Sequence, residues 1–278
     1  MGVLLAVVGL LVWVARPEST PCAATGTAGL VTEFPTPPSS SGIATMRTTV
    51  SPPAAVVGEA RYFRFAPGVA CSFPDLPVDG YYAGVSTLEY GTADLCGAYL
   101  DVHGPNGAVR VLVADHCPGC APGQLDLSAA AFAEIADPAH GVADIRYRVV
   151  HNPDPAPEIG YEIKADSSET WLAILFTGTG NPLRQVSIRS AEADAWLPLV
   201  HTSDNHWTIT GAGAGPFGLR LTDIHNQATE IHGLTLTTGV NRSGTSLYTI
   251  TPPPPVTTPA PVPRPSAAPL SAECAASG

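Results

Sequence analysis

Short segments that alternate apolar and polar residues fill the middle of this chain, and turn residues separate them. The clearest case is AYLDVHGPNGAVRVLVAD, residues 98–115, in which Gly104-Pro105-Asn106-Gly107 lies between two such segments. A period of two is typical of a half-buried strand, and the central group is typical of a tight turn, so a β-hairpin is predicted. DIRYRVV, from Asp144, predicts another strand. A chain built from such segments is restricted to mainly β folds.

One helix is predicted in the first half of the chain. Ser128 stands before AAAFAEIA, and its hydroxyl can cap the first turn. Phe132 and Ile135 lie about one turn apart, so they are expected on the inner face of this helix.

The second half reads as an antiparallel β-sandwich of the immunoglobulin-like kind without helices. Around eight strand-like segments follow one another with Gly, Asn, Asp and Pro between them. They are GYEIKA, TWLAILFT, RQVSIRS, AWLPLVHT, HWTIT, FGLRLTD, TEIHGLTLT and LYTI. Trp196 and Trp207 fall within these patterns and are predicted to be core residues.

Proline-rich segments mark the domain boundaries. Residues 21–57 and 252–278 have the composition of a solvated linker and a tail, with nine prolines in the latter. HNPDPAPEIG, residues 151–160, separates the halves. We therefore predict domains at 58–152 and 157–251. Residues 1–20 contain an apolar run too short for a membrane span, so a secretory signal is favoured over an N-terminal anchor.

Charge and cysteine content narrow the function classes. The net charge is −11 and Lys164 is the only lysine, which excludes the basic footprint of a nucleic-acid binder and disfavours anionic polymers and membranes. Six cysteines in an exported chain indicate disulfide bonds. No cofactor is expected. The protein is expected to be a monomer.

VADHCPGCAPGQLDLS, residues 113–128, raises three alternatives for its paired cysteines. Redox catalysis is disfavoured because Ala121-Pro122-Gly123 does not open a helix easily. Zinc is disfavoured because further ligands are missing, and His116 beside Cys117 tends to point away. No metal site is predicted. The remaining interpretation is two disulfides among the cysteines of the first domain, with three possible connectivities. These are Cys71, Cys96, Cys117 and Cys120, while Cys22 and Cys274 could pair with each other or with another chain.

Asp126 lies between Leu125 and Leu127, so burial should raise its pKa. A protonated carboxyl there could act as a general acid toward a glycosidic oxygen. The alternative is that Asp126 helps Ser128 to cap the following helix.

The chain resembles the bacterial and fungal expansins. The resemblance rests on GEARY at residue 58, the hairpin, DHCPGCAPGQLDLSAAAF and IRYRVV, and continues through YEIKADSSETWLAIL, AWLPL, FGLRLTDI and GTSLYTI. It covers roughly residues 58–251. It implies a six-stranded double-psi β-barrel followed by a β-sandwich carbohydrate-binding module. The CPGC element looks like that of expansin-like proteins and of rare lipoprotein A-like domains.

The resemblance also implies site residues. Asp126 matches the acidic residue that wall loosening requires, and Asp115 matches a polysaccharide-contacting residue of the groove. Arg61 and Tyr62 on the first strand are expected to contact carbohydrate, although threonines of the family's groove are replaced by Arg61 and Phe63. A groove aromatic is replaced by Cys117.

The sandwich keeps part of the family's cellulose platform. Trp171 and Lys164 match one of its three aromatics and its lysine, whereas Thr170 and Asp204 occupy the other two aromatic positions. Since each lost ring removes about 1 kcal/mol of stacking, weaker binding is expected.

The resemblance implies a secreted protein that binds cellulose or a related matrix glucan and loosens walls without hydrolysis. Two alternatives remain open. One is an endoglucanase or peptidoglycan lytic transglycosylase in which Asp126 is the acid. The other is a protein-binding module such as a protease inhibitor.

Overall fold

The computed structural model describes residues 54–250. The predicted signal, all but the end of the predicted linker, the predicted tail, Cys22 and Cys274 lie outside the described residues. Within the described part, no helix is both long enough and apolar enough to cross a membrane.

The first half forms a closed six-stranded barrel, which confirms the predicted fold class. Its strands are β1 (Val56–Phe63), β2 (Tyr82–Ser86), β3 (Tyr99–His103), β4 (Ala108–Cys117), β5 (Leu125–Ser128) and β6 (Val142–Val149). They follow the order β1-β5-β2-β4-β3-β6 around the barrel. The β1–β5 and β2–β4 pairs are parallel, and the other four pairs are antiparallel.

Local sequence explains the predicted elements of the barrel. The β3–β4 hairpin forms around a turn in which the amide of Gly104 donates to the carbonyl of Gly107, 2.9 Å away. Ser128 caps α2 (Ala129–Ile135) by accepting from the amide of Ala131 at 3.4 Å. The predicted inner residues of α2, Phe132 and Ile135, are fully buried in the barrel core. The hairpin and the capped helix are therefore confirmed.

The barrel also has a short helix, α1 (Thr87–Tyr90), and a 3-10 turn at Pro138–His140. Neither has the apolar period of a longer helix, and neither was predicted. Ser86 caps α1 by accepting from the amide of Glu89 at 3.4 Å.

The second half contains two sheets that enclose a separate core. Its strands are β7 (Gly160–Ile163), β8 (Trp171–Thr177), β9 (Leu183–Ser190), β10 (Leu197–Pro198), β11 (Val200–His201), β12 (His206–Thr210), β13 (Phe217–Asp223), β14 (Ala228–Leu234) and β15 (Gly239–Arg242). One sheet has the order β10-β9-β13-β14 and the other β11-β12-β8-β7-β15. Ile174 and Leu219 exemplify the side chains that fill the space between them.

Three sequence predictions in this half need correction. LYTI does not form a strand; Leu247 and Tyr248 are buried in the core without joining a sheet. The unpredicted strand β15 pairs with β7 at the sheet edge. AWLPLVHT divides between β10 and β11, which belong to different sheets.

The tryptophan predictions differ in outcome. Trp207 is 4% exposed and belongs to the core, as predicted. Trp196 does not belong to the core. Its indole lies on the sheet surface, and the ring centroid is 4.7 Å from the guanidinium carbon of Arg189 and 4.3 Å from that of Arg220. Gly218 lies under this indole, since a Cβ there would be in ordinary van der Waals contact with the ring at 3.5 Å.

The structure selects one disulfide connectivity. Cys71 pairs with Cys96, and Cys117 pairs with Cys120. The first bond joins segments 25 residues apart, whereas the second closes a loop of three, so the first constrains the unfolded chain more.

Close packing of the barrel predicts that Gly58→Ala destabilises the protein. A Cβ at Gly58 would lie 1.8 Å from the carbonyl oxygen of Gly123, and backbone must move to relieve this overlap. We expect a loss of about 1–3 kcal/mol in the free energy of unfolding, measured by urea denaturation. Gly119→Ala is the control, since nothing lies within 4 Å of its Cβ position. Equal stabilities of the two variants would contradict the packing argument.

Candidate functional site

Four residues on adjacent strands form a row on the outside of the barrel. Arg61 on β1 is paired with Asp126 on β5, Asp126 with Gly84 on β2, and Gly84 with Asp115 on β4. The leucines flanking Asp126 are fully buried, so alternation along β5 directs Asp126 outward. We call this set the carboxylate row.

Gly84 separates the two carboxylates of the row without filling the space between them. Strands lie roughly 4.8 Å apart, so the Cα atoms of Asp115 and Asp126, two strands apart, are about 10 Å from each other. A side chain at Gly84 would enter this space, because its Cβ would lie 3.6 Å from the Cβ atoms of both Asp115 and Cys117. The row is therefore open between its two acids.

The environment of Asp126 favours its protonated form. Burial raises the pKa of the Asp126 carboxyl, the negative charge of Asp115 raises it further, and Arg61 opposes the shift. Asp126 makes no side-chain hydrogen bond with another described residue. Its carboxyl oxygens are therefore available to a group that enters the row.

Asp115 is held in a fixed orientation by the backbone. Its Oδ1 accepts from the amide of Ala70 at 2.9 Å and from the amide of His116 at 2.8 Å. The two acids of the row thus differ, because Asp115 is tied to the backbone and Asp126 is not.

The structure separates Tyr62 from the row. Tyr62 follows Arg61 in β1 and so points to the opposite face. Its ring packs against Phe132 with centroids 4.9 Å apart, and its hydroxyl donates to the carbonyl of Pro138 at 3.3 Å.

Beside the row, a stacked pair of rings stands next to Cys117. Cys117 is held in its disulfide, while the ring of His116 stacks on Tyr90 with centroids 4.7 Å apart. Nε2 of His116 lies 3.0 Å from Oγ1 of Thr87. Sequence reasoning missed Tyr90, because it lies in a short helix without an apolar period and meets His116 only through the fold.

Tyr90 connects the row to the sandwich. Its hydroxyl lies 2.7 Å from the carbonyl oxygen of Ser203 and 3.1 Å from that of Ala70, and donates its proton to one of them. Burial raises the pKa of Tyr90 to about 12, with further contributions from Asp115 and Asp204. Tyr90 therefore lies near both Asp115 of the carboxylate row and Asp204 of the sandwich.

A second contact fixes the same loop of the sandwich. The side-chain amide of Asn205 donates to the carbonyl of Cys71 at 3.1 Å, beside the Cys71–Cys96 disulfide. The β11–β12 turn is thereby anchored to the barrel.

The predicted platform residues lie on the outer face of the five-stranded sheet. Leu172 and Ile174 face the core, so Trp171 at the start of β8 faces outward and is partly exposed. The amide of Lys164 donates to the carbonyl of Ala173 at 3.1 Å, which places Lys164 beside the same strand. Both residues belong to one surface, which we call the platform.

Asp204 occupies the charged end of the platform. Its Oδ2 lies 3.4 Å from Nζ of Lys164 and 3.0 Å from Nδ1 of His206. Burial raises the pKa of Asp204, but the Thr202 hydroxyl, His206 and Lys164 outweigh it and lower the pKa to about 2. A negative charge thus pairs with Lys164 at this end of the platform.

The cysteines of this region do not offer metal ligands. Cys117 and Cys120 are joined to each other, so neither presents a thiolate. Among residues 54–250, no group of three or more His, Cys, Asp or Glu side chains is arranged to hold a metal ion.

Comparisons with known proteins give consistent similarities. A family described as lytic transglycolase matches residues 89–147. An expansin of Bacillus subtilis is 36% identical over 152 residues, which cover 54% of this chain and 61% of that protein. The chain thus spans about three fifths of that relative's length.

Solved structures extend the similarity over both halves. Crystal structures of an expansin of Clavibacter michiganensis match with a TM-score of 0.67 and 33% identity, covering 71% of this chain and all of that chain. In one of them a mutant of that protein is in complex with cellohexaose.

The electrostatics of the row predict opposite effects of two substitutions on Asp126. Asp115→Asn should lower the pKa of Asp126 by removing a like charge, and Arg61→Ala should raise it by removing an opposite one. Carbon-detected NMR titration of the Asp126 carboxyl measures both shifts. Asp144→Asn, on β6, is the control. A pKa of Asp126 that does not respond to Asp115→Asn would contradict the coupling.

The same shift predicts a pH dependence of stability. Because folding raises the pKa of Asp126, its contribution to stability is fully present below the unfolded-state pKa of about 3.9. That contribution is lost as pH rises through the folded-state pKa. Asp126→Asn should therefore be at least as stable as the parent at pH 7, as measured by urea denaturation. Marked destabilisation by Asp126→Asn at pH 7 would contradict this assignment.

Proposed function

Because the chain belongs to the expansin family, we propose that it is a secreted protein that binds cellulose or a related neutral glucan of cell walls and loosens it without hydrolysis. The observation that carries the proposal is the placement of an open carboxylate row and an outward-facing platform on the barrel and sandwich, with Tyr90 between them. A polymer that contacts both the carboxylate row and the platform would be bound at two places.

The carboxylate row supplies the site of action on the polymer. Asp126, with its raised pKa, can donate a hydrogen bond to a glycosidic or hydroxyl oxygen. Asp115 is an acceptor for sugar hydroxyls, and Gly84 leaves space for the chain between the two acids. Competition for the hydrogen bonds between neighbouring glucan chains would loosen their contact.

The absence of hydrolysis is proposed from the state of Asp115. An inverting hydrolase needs a second carboxylate as base to activate water. Two backbone amides already donate to Oδ1 of Asp115, so a bound sugar hydroxyl competes with water for the remaining Oδ2. The resemblance to expansins implies the same conclusion.

A second candidate function is supported by one observation. The match to the lytic transglycolase family covers both Asp115 and Asp126, and a raised pKa is what a general acid requires. In that case Asp126 would protonate the leaving oxygen of a peptidoglycan glycosidic bond.

The proposed platform predicts that Trp171→Ala weakens binding to insoluble cellulose by about fivefold. Stacking on one ring contributes on the order of 1 kcal/mol, which corresponds to that factor. The measurement is a depletion isotherm of the full chain on cellulose. Trp196→Ala is the matched control, because this partly exposed indole lies on the other sheet. Equal affinities of the two variants would exclude Trp171 from the binding surface.

The carboxylate row predicts that Asp126→Ala, which removes the hydrogen-bond donor, abolishes loosening while retaining cellulose binding. Creep of a cellulose-rich wall strip under constant load measures loosening, and Asp144→Ala serves as the control. Soluble reducing ends and muropeptides are measured in parallel on cellulose and peptidoglycan. Products released by the parent and lost in Asp126→Ala would favour the enzyme and overturn the non-hydrolytic proposal.

A further inference from the structure

Both backbone amides that hold Asp115 belong to residues that Tyr90 contacts. The amides of Ala70 and His116 donate to Oδ1 of Asp115 at 2.9 Å and 2.8 Å. The hydroxyl of Tyr90 lies 3.1 Å from the carbonyl oxygen of Ala70, and its ring stacks on His116 with centroids 4.7 Å apart. We call these the hydroxyl contact and the ring contact. Any effect of Tyr90 on the orientation of Asp115 passes through them.

The hydroxyl contact is made to a segment that is also held elsewhere. The peptide that joins Ala70 to Cys71 has its carbonyl beside the Tyr90 hydroxyl, while its amide donates to the carbonyl of Ala114 at 3.1 Å. The disulfide of Cys71 holds the same segment. Loss of the hydroxyl would therefore leave the segment in place and free one end of this peptide. That peptide adjoins the amide that binds Asp115.

The ring contact acts on His116, which directly follows Asp115 in β4. The two rings are stacked with their planes 25° apart, and Nε2 of His116 lies 3.0 Å from Oγ1 of Thr87. A phenylalanine in place of Tyr90 would retain the stack, whereas an aliphatic side chain would lose it. The two contacts can therefore be separated by substitution.

The sandwich fixes the same hydroxyl from the other side. The carbonyl oxygen of Ser203 lies 2.7 Å from the Tyr90 hydroxyl, on the turn that also carries Asn205. A tyrosine hydroxyl has one proton, so it donates to Ser203 or to Ala70 at any one time. Because burial raises the pKa of Tyr90 to about 12, this proton is retained at neutral pH. The hydroxyl is thus fixed by both domains.

We propose that Tyr90 is a positioning residue for Asp115, with its hydroxyl acting through Ala70 and its ring acting through His116. The effect on Asp115 does not depend on the proposed function. Its consequence for loosening rests on that function, in which Asp115 is an acceptor for sugar hydroxyls. An Asp115 carboxylate that rotates more freely would accept such a hydrogen bond less often.

The test is hydrogen exchange of single backbone amides in the full chain, measured by NMR. Tyr90→Phe loses the hydroxyl contact and keeps the ring contact. The amide of Ala70 should exchange about fivefold faster than in the parent, the factor that one hydrogen bond typically contributes, and that of His116 should be unchanged. Tyr90→Leu, which also removes the stack, should accelerate exchange at both amides.

Tyr248→Phe is the matched control. Tyr248 is as deeply buried as Tyr90, and its hydroxyl donates to the carbonyl of Pro153 at 2.9 Å, outside the carboxylate row. The control loses a comparable hydrogen bond, yet the amide of Ala70 should exchange as in the parent. Unchanged exchange at Ala70 in Tyr90→Phe, or an equal acceleration there in Tyr248→Phe, would overturn the proposal.

A titration of the parent tests the arrangement without any substitution. The amide protons of Ala70 and His116 should shift together as Asp115 is protonated, because both donate to its Oδ1. Two unrelated transitions at these amides would show that they are not joined by one carboxylate and would overturn the proposal.

The consequence for function is measured by comparing loosening with binding. Tyr90→Phe should reduce creep of a cellulose-rich wall strip and leave the affinity for insoluble cellulose unchanged, while Tyr248→Phe should alter neither. Creep equal to that of the parent, despite faster exchange at Ala70, would overturn the role of Tyr90 in loosening. A parent that causes no creep would overturn the proposed function instead, and the exchange rates would still decide whether Tyr90 positions Asp115.

Discussion

Strand register in the barrel determines what the two acids can do. Asp126 faces outward beside Gly84 because β5 pairs with β2 in one register, and a shift by a single residue would turn Leu127 outward and bury the carboxylate. The same register places Arg61 on one side of Asp126 and Asp115 two strands away on the other. The pKa of Asp126 is thus a property of the closed barrel, since burial raises it and the two charges that act on it, Asp115 and Arg61, come from two other strands.

The junction between the domains extends this arrangement to the sandwich. Tyr90 and Asn205 fix the β11–β12 turn against the barrel next to a disulfide. That turn also carries Asp204, which holds Lys164 on the platform. Because the contacts at the junction and the ion pair of the platform share one turn, movement of the sandwich away from the row would disturb both.

Local patterns predicted the elements that alternate clearly, and long-range pairing decided the rest. The β3–β4 hairpin and the Ser128-capped helix follow from neighbouring residues, and the resemblance to expansins supplied the barrel and the acids. The strand predicted for LYTI does not form, because Leu247 and Tyr248 are buried by packing and pair with no neighbouring strand. The core prediction for Trp196 failed because its indole packs against the guanidinium groups of Arg189 and Arg220 on the surface of the sheet. The parallel β1–β5 pairing, the disulfide partners and the Tyr90–His116 stack join distant segments that no local period connects.

The single lysine of the chain has a practical consequence for handling the protein. Lys164 lies on the platform, and every other basic side chain is an arginine or a histidine. Amine-reactive dyes, cross-linkers and coupling resins therefore have one side-chain target, within the surface proposed to contact the polymer. Immobilisation through the Lys164 amine would orient the sandwich toward the support and hide that surface, whereas a dye attached there would report directly on its occupation.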